Sequence, residues 1–211
     1  MRAPRRVFLL SPAHCGGERA QMLLAERARF DLAVRVRSPA GAPIGEVFAF
    51  LSGLYFRGKL AYAGTFARPS DVLVITPGAG LVPPETPVTG AALSAFAAID
   101  VATDAVRFRA PLAASAARLA DRLGPRGEVV LLGSIASGKY VDPLAAVFGP
   151  RLVFPEAFVG RGDMSRGGLL LRCARAREEL TYVPVVGAVR RGTRPPRLAP
   201  LGQRAAASRR R

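Results

Sequence analysis

The stretch DVLVIT at residues 71–76 is a short apolar run stopped by Pro77 and Gly78, and such a run is typical of a buried β-strand. Three other runs have similar character, and segments with helical periodicity separate them. Short apolar strands that alternate with helices form parallel or mostly parallel sheets covered on both faces. We therefore expect an α/β fold with three layers, α/β/α. The other candidate strands are VFLL at 7–10, EVVLL at 128–132 and LVF at 152–154.

The segments between these runs carry helix signals, with two less regular stretches. The loop 77–90 holds four prolines and three glycines, so we expect it to be irregular and stiff. The stretch 169–186 fits either a helix followed by a strand or a hairpin that turns near Arg177, and Gly167-Gly168 weakens the helix. Helices are predicted over 18–33, 45–67 with an interruption near Gly53, 90–98, 108–124 and 141–148.

The length of 211 residues, half of them apolar, suits one sizeable domain. The last acidic residue is Glu179, and eight arginines lie between Arg190 and Arg211. This final stretch has too little apolar content to pack. We expect one domain over residues 1–189 and a disordered arginine-rich tail over residues 190–211.

Arginine supplies nearly all of the positive charge. Of 31 basic residues only Lys59 and Lys139 are lysines, and the formal net charge is +16. A polyanion, most often nucleic acid, is the natural complement of such a field. A GC-rich coding bias would explain arginine in place of lysine, but it does not explain why acidic residues are outnumbered two to one.

Other classes of partner are not favoured by the sequence. No apolar stretch approaches the ~20 residues that cross a bilayer, and the run 7–10 is too short for the core of a signal peptide. We therefore expect no membrane partner and a cytoplasmic location. Cys15 and Cys173 match no metal-binding spacing, so we expect neither a metal site nor a disulfide framework, and no cofactor.

Ligands of parallel α/β sheets bind at the carboxyl ends of the strands, which selects the loops 11–17, 77–87 and 133–140. The first of these loops places Ser11, His14 and Cys15 close together in the sequence. A serine or cysteine beside a histidine is what nucleophilic catalysis requires, because imidazole can accept the proton of the attacking group. The alternative is a loop whose polar groups only bind backbone.

The loop 133–140 has the G-x-x-x-x-G-K frame of a phosphate-binding P-loop after a strand. Tyr140 stands where that motif needs Ser or Thr to bind magnesium, so a working nucleotide triphosphatase is not favoured. We expect a looser role, in which Lys139, Tyr140 and the backbone of Gly133 and Gly138 receive a phosphate of a bound nucleic acid.

Two arginine-containing segments are candidates for contact with nucleic acid. Residues 158–168 hold four glycines with Arg161 and Arg166 around Asp163, which fits either phosphate recognition or a glycine-rich turn closed by an Asp–Arg pair. Asp163 is also a candidate acid or base. Residues 55–62 interleave aromatic residues with Arg57 and Lys59, which fits base stacking and phosphate contact, or a core stripe with solvated cations.

Three segments together resemble a known family. Ser11-Pro12-Ala13, LYFRGKLAYA at 54–63 and VLVITPGAGLVP at 72–83 occur in the order found in the peroxide-stress protein family and in related uncharacterised domains, including an accessory domain of archaeosine-synthesis enzymes. The resemblance covers residues 7–170. This chain carries Ala79 where that family has a tyrosine. The resemblance implies a fold similar to that of uracil-DNA glycosylases and a domain that contacts nucleic acid or a nucleobase.

These observations lead to one expected function and two alternatives. We expect a cytosolic DNA- or RNA-binding protein with a glycosylase-like α/β domain, whose arginine tail adds phosphate contacts that do not depend on sequence. The first alternative is an enzyme, a hydrolase or N-glycosidase, that acts on a nucleotide or nucleobase through the loops 11–17, 133–140 and 160–168. The second is a factor that associates with a ribonucleoprotein such as the ribosome.

Overall fold

A computed structural model describes residues 5–101 and 105–198. In this part of the chain the strands are β1 (Arg6–Leu10), β2 (Ala42–Pro43), β3 (Val72–Thr76), β4 (Gly80–Val82), β5 (Pro87–Val88), β6 (Glu128–Leu132), β7 (Leu152–Pro155) and β8 (Tyr182–Pro184). The α-helices are α1 (Glu18–Leu24), α2 (Asp31–Arg37), α3 (Ile44–Ser52), α4 (Leu54–Phe66), α5 (Gly90–Ala97), α6 (Ala110–Leu123), α7 (Gly138–Phe148) and α8 (Asp163–Ala176).

Six strands form one mostly parallel sheet in the order β4-β3-β1-β6-β7-β8. The four central strands are parallel, and they are the four apolar runs of the sequence. Phe8 at the centre pairs with Val72 on one side and Val130 on the other. The edge strands β4 and β8 run antiparallel to β3 and β7. β2 and β5 form a separate two-stranded sheet. The predicted α/β class is confirmed.

Helices cover both faces of the sheet. α4 packs against α8 and contacts β1, while α6 packs against α7, which contacts β7. The chain passes from β1 to β3 in one direction across the sheet, and from β3 through β6 to β7 in the opposite direction. Because such crossovers are right-handed, α4 lies on one face and α6 and α7 lie on the other. The residues of β1 from Val7 to Leu10 are buried, as expected for a strand covered on both faces.

Glycine allows α4 and α8 to approach each other closely. A Cβ atom at Gly58 would lie 2.7 Å from the Gly167 carbonyl oxygen, and a Cβ atom at Gly167 would lie 2.8 Å from the Leu54 carbonyl oxygen. Glycine is therefore required at position 167 of α8, because the neighbouring backbone of α4 fills the space of a side chain. α8 ends at Ala176, the next residue, Arg177, adopts a left-handed conformation with φ 55°, and β8 follows. The helix-then-strand alternative is confirmed, and the hairpin alternative is wrong.

The helix predicted over 18–33 is two helices. α1 ends at Leu24 and α2 begins at Asp31, with an irregular turn between them. The Arg37 side chain donates a 2.6 Å hydrogen bond to the Ala28 carbonyl in that turn. Phe30 leaves the helical path and stacks on Phe50, with the ring centroids 5.5 Å apart. Tertiary contacts therefore replace the helical hydrogen bonds that the periodicity of the sequence predicted.

The loop 77–90 is more regular than expected. Thr76 turns the chain back, because its hydroxyl accepts a hydrogen bond from the Ala79 amide and donates one to the Gly80 carbonyl. Gly80 has φ +68°, and β4 then runs back along β3. The remaining helix predictions hold with shifted ends: Gly53, at φ +59°, separates α3 from α4, and α7 begins three residues earlier than predicted.

The arginine-rich stretch is described as far as residue 198, and residues 199–211 lie outside the described part. Residues 190–198 contain no helix or strand. They follow the surface of the domain: Arg190 pairs with Asp142 of α7 at 3.4 Å, and a side chain at Gly160 would collide with the Thr193 carbonyl. No helix of the described residues is long and apolar enough to span a membrane.

Candidate functional site at the carboxyl ends of the strands

An open pocket of about 660 Å³ lies where β1, β3 and β6 end. Its walls come from the loops predicted to bind ligands and from the end of α5. The wall formed by the end of α5 and the residues after it is mainly apolar, with Phe96 and Ile99, and also contains Asp100, whereas the loops after β1 and β6 supply most of the polar side chains. The lining residues that matter below are Pro12, His14, Cys15, Ser134, Lys139 and Tyr140.

A buried serine–lysine pair lies next to this pocket. Ser11 follows the last residue of β1, and Lys59 lies at the middle of α4. Ser11 is 4% exposed and Lys59 is 1% exposed. Lys59 Nζ donates hydrogen bonds to Ser11 Oγ at 2.6 Å and to the Ser11 carbonyl at 3.0 Å. The Ser11 amide in turn donates to the Leu132 carbonyl of β6. Lys59 therefore holds the Ser11 hydroxyl, and β6 holds the Ser11 backbone.

Burial gives Lys59 an unusual acidity. Removal from water disfavours the ammonium form and lowers the pKa of Lys59 to about 7, although the Asp163 carboxylate opposes this shift and the Arg166 guanidinium adds to it. Nζ also lies 3.9 Å from the centroid of the Tyr55 ring, a position that favours the charged form. Desolvation outweighs the effects that favour the charged form, and because the resulting pKa of about 7 lies at neutral pH, both the amine and the ammonium are present there.

Tyr55 contributes an unsatisfied hydroxyl to the same cluster. Its residue is 4% exposed, and its Oη has no hydrogen-bond partner among the described residues. Burial raises the pKa of Tyr55 far above its usual value, so the hydroxyl keeps its proton. The charged and polar groups around it are Arg166, Tyr140 and Asp163. A buried donor without an acceptor is costly, and it is available to an oxygen atom of a ligand.

Tyr140 connects the pair to the pocket. Ser11 Oγ and Tyr140 Oη lie 3.1 Å and 3.3 Å from the position that a Cβ atom would take at Gly133. Burial raises the pKa of Tyr140, and the neighbouring Ser11 hydroxyl partly offsets that shift. Gly133 is therefore required for space, because a side chain there would displace Ser11, whose Cβ would be only 2.8 Å away. This packing role differs from the predicted phosphate contact.

The first turn of α8 forms the far side of the cluster. Asp163 is exposed and pairs with Arg166 at 3.1 Å, three residues along the helix. Arg166 is buried, and its Nε and Nη2 both donate to the Phe158 carbonyl. Arg161 donates to the Ala157 carbonyl and to Ser165 Oγ. The Asp–Arg pair anticipated within 158–168 is present, but it closes the first turn of a helix, and internal hydrogen bonds occupy part of both arginines.

The two other candidate nucleophilic groups differ in their surroundings. His14 is exposed at the pocket wall, and its ring covers Gly16 and Gly17. Cys15 is buried, and its thiol donates a weak hydrogen bond to the Ala13 carbonyl at 3.5 Å. Burial raises the pKa of the Cys15 thiol to about 12, so almost no thiolate forms at neutral pH. Cys15 is a core residue and a poor nucleophile.

The cations proposed for phosphate contact are dispersed. Lys139 is exposed at the pocket wall, and Arg57 is exposed on α4. Lys59 is buried against Ser11 and therefore does not line an open groove with Arg57. Residues two apart on a helix face different directions, which is why Arg57 is exposed while Lys59 is buried. At Gly138 the Asp142 carboxylate fills the space of a side chain, and this negative charge opposes a phosphate at that glycine.

Sequence reasoning missed the Ser11–Lys59 pair. The two residues are 48 positions apart, and although both lie in segments of the family resemblance, nothing in the sequence predicted that their side chains meet. One signal was present: this chain uses lysine only twice among 31 basic residues. Arginine cannot lose its proton in a protein, whereas a buried lysine can. A buried position that must accept a proton therefore needs lysine, and Lys59 is the buried one of the two lysines.

Comparisons with known proteins do not assign this chain to a family. The chain matches no protein-family model, no curated protein and no solved structure. The resemblance to the peroxide-stress protein family stays a prediction. Within the described residues, no three His, Cys, Asp or Glu side chains are grouped so that they could hold a metal ion.

Proposed function

We propose that this protein binds nucleic acid at the carboxyl edge of its sheet and that the pocket there receives one nucleotide unit. The net charge of +16 and the absence of acidic residues after Glu179 favour a polyanion. The pocket volume of about 660 Å³ falls in the usual range of small-ligand sites. Its apolar wall, with Phe96, offers a surface on which a base can pack, and Lys139 lies on the polar wall.

The path of the arginine-rich residues 190–198 is the observation that most directly supports this proposal. Arg190 is paired with Asp142 in the first half of α7, and residues 192–193 pack against residues 159–160, just before α8. The stretch therefore crosses the same edge of the sheet that holds the pocket. A phosphate backbone bound along these arginines would pass the mouth of the pocket, so one strand could contact both.

Binding across a salt series tests the proposal. Single-stranded DNA, single-stranded RNA and duplex DNA are titrated against the full chain between about 50 and 200 mM salt, where each phosphate contact contributes about 0.7–0.9 to the slope of log affinity against log salt. One variant changes four arginines of the edge to glutamine, and a matched variant removes the same charge elsewhere. The edge set is Arg190, Arg191, Arg194 and Arg197, and the matched set is Arg109, Arg118, Arg122 and Arg126.

The edge variant should lose more affinity and more salt slope than the matched variant. Equal losses in the two variants would mean that net charge alone attracts the polymer, and absence of binding by the full chain would reject the proposal. Lys139→Ala should reduce the affinity for a single strand more than the affinity for a duplex, because a paired base cannot enter the pocket.

A second candidate function, an enzyme that acts on a nucleotide or nucleobase, is favoured by the Ser11–Lys59 pair. His14→Ala distinguishes an enzyme that uses His14 as its acid or base from one that uses the Ser11–Lys59 pair. The substitution should leave nucleic-acid affinity unchanged, and it should abolish turnover only if His14 is the acid or base. Turnover that survives His14→Ala and fails in Ser11→Ala would assign the chemistry to the buried pair.

A further inference from the structure

The buried amine of Lys59 has no evident role in stability. Taking a lysine out of water is costly, and an apolar side chain of similar volume would fill the same space without that cost. Phe56 and Ala63 on the same helix are fully buried and apolar, so α4 has an adequate core face without Lys59. The Nζ atom lies against the one hydroxyl at the end of the central strand β1.

We propose that Ser11 and Lys59 are a nucleophile and its general base, and that they hydrolyse a carboxylic ester bound in the adjoining pocket. The 2.6 Å separation of Nζ and Oγ lies within the reach needed for direct proton transfer. The second hydrogen bond, to the Ser11 carbonyl, holds the amine in place while the hydroxyl reacts. The inference does not depend on nucleic-acid binding.

The reaction is balanced with these two groups and water. The neutral Lys59 amine takes the proton of Ser11 Oγ as the oxygen forms a bond to the ester carbonyl carbon. The carbon–oxygen bond to the alcohol then breaks, and the Lys59 ammonium gives its proton to the leaving alkoxide. Water attacks the acyl-Ser11 ester, Lys59 accepts the proton of that water, and Ser11 Oγ recovers it. One ester and one water become one acid and one alcohol.

The surroundings favour a carboxylic ester over a phosphate ester. Phosphoryl transfer needs several positive charges around the reacting group. The pocket lining offers His14 and Lys139 beside the Asp100 carboxylate, and the Arg166 guanidinium of the cluster is held by the Phe158 carbonyl and by Asp163. An ester carbonyl is neutral, and its oxygen needs hydrogen-bond donors as negative charge develops. The Tyr55 hydroxyl is a buried donor without an acceptor in the same cluster. The apolar side chains of Phe96 and Ile99 offer a surface against which the acyl or alcohol part of such an ester can pack.

Labelling of the full chain with a small fluorophosphonate tests the proposal. Ser11 Oγ would displace fluoride from phosphorus, and intact-mass and peptide mass spectrometry would locate the adduct. Hydrolysis of p-nitrophenyl acetate gives a rate with a true ester. Ser11→Ala should abolish both signals, and Ser70→Ala, at the opposite edge of the sheet beside the start of β3, should change neither.

Lysine substitutions separate base catalysis from packing. Lys59→Met should slow labelling and hydrolysis by about 100-fold or more, the contribution expected of a positioned base. Lys59→Arg keeps a charge and should be equally slow, because guanidinium cannot accept the proton. In the unaltered protein, both rates should rise with pH and level off above the Lys59 pKa of about 7. This profile needs no variant, so it tests the proposal even if a variant does not fold.

Four results would overturn the proposal. These are an adduct on another serine, no adduct together with no ester hydrolysis, hydrolysis that survives Ser11→Ala, and rates that rise through pH 10 without a plateau. All measurements are made without nucleic acid, so failure here leaves nucleic-acid binding untouched, and failure to bind nucleic acid leaves ester hydrolysis untouched.

Discussion

The crossing of α4 and α8 holds the candidate site together, and Gly58→Ala is the substitution that tests it. Gly58 lies one residue before Lys59, and α8 carries Arg166 one residue before Gly167. A Cβ atom at Gly58 would lie 2.7 Å from the Gly167 carbonyl oxygen, whereas ordinary contact begins near 3.4 Å. The Gly58 Cα atom and the Gly167 carbonyl group both belong to helical backbone, which cannot move independently of its helix. The two helices must therefore separate to admit the methyl group.

We expect Gly58→Ala to lower the free energy of unfolding by about 1–3 kcal/mol, the usual cost of overpacking. The same substitution at Gly64, on the same helix, is the matched control, because a Cβ atom there has no neighbour within 4 Å. Alanine is the better helix former, so Gly64→Ala should raise stability by about 0.5–1 kcal/mol. For a chain of this size, 1 kcal/mol corresponds to a change in Tm of about 2–4 °C.

Urea unfolding followed by circular dichroism measures both variants under identical conditions. The difference between them should be about 1.5–4 kcal/mol, with Gly58→Ala the less stable. A Gly58→Ala protein as stable as the Gly64→Ala protein would refute the close crossing. Gly58→Ala should also disturb the Ser11–Lys59 pair, because any shift of α4 moves the lysine that α4 carries.

Three further predictions concern buried polar groups. In the unaltered protein, Lys59 loses its proton near pH 7 when folded and near pH 10.5 when unfolded, so the free energy of unfolding should rise between these pH values by up to about 1.4 kcal/mol per pH unit. Lys59→Met should remove this rise. Urea unfolding at several pH values checks this, and a constant difference between variant and parent would contradict it. Cys15 should resist a thiol reagent in the folded protein while half-buried Cys173 reacts, so Cys173→Ser should abolish the native signal. Tyr62→Phe should cost about 1–3 kcal/mol, because the Tyr62 hydroxyl accepts from a backbone amide at 2.8 Å and contacts the Tyr182 hydroxyl at 2.6 Å. A double-mutant cycle with Tyr182→Phe should show coupling between the two hydroxyls, and additive losses would argue against the contact.

The sequence alone determined the layers of this protein. Four apolar runs, each stopped by glycine, proline or a charged turn, predicted the parallel centre of the sheet, because strands buried on both faces must be apolar throughout. The same pattern selected the carboxyl edge as the place for a site, and the pocket lies there. Ser11 was selected because it follows such a strand. These inferences are local, since they depend only on neighbouring residues.

Only the tertiary structure decided which side chains meet at that edge. The sequence placed Lys59 with Arg57 as a surface cation, whereas the fold buries it against Ser11. It treated Gly167 as a helix breaker, whereas the backbone of α4 fills the space beside that glycine. It counted Cys15 as a reactive candidate, whereas burial keeps its thiol protonated. In each case the deciding neighbour is far away in the chain, and a side chain's burial, pKa and partners depend on that neighbour and not on the adjacent sequence.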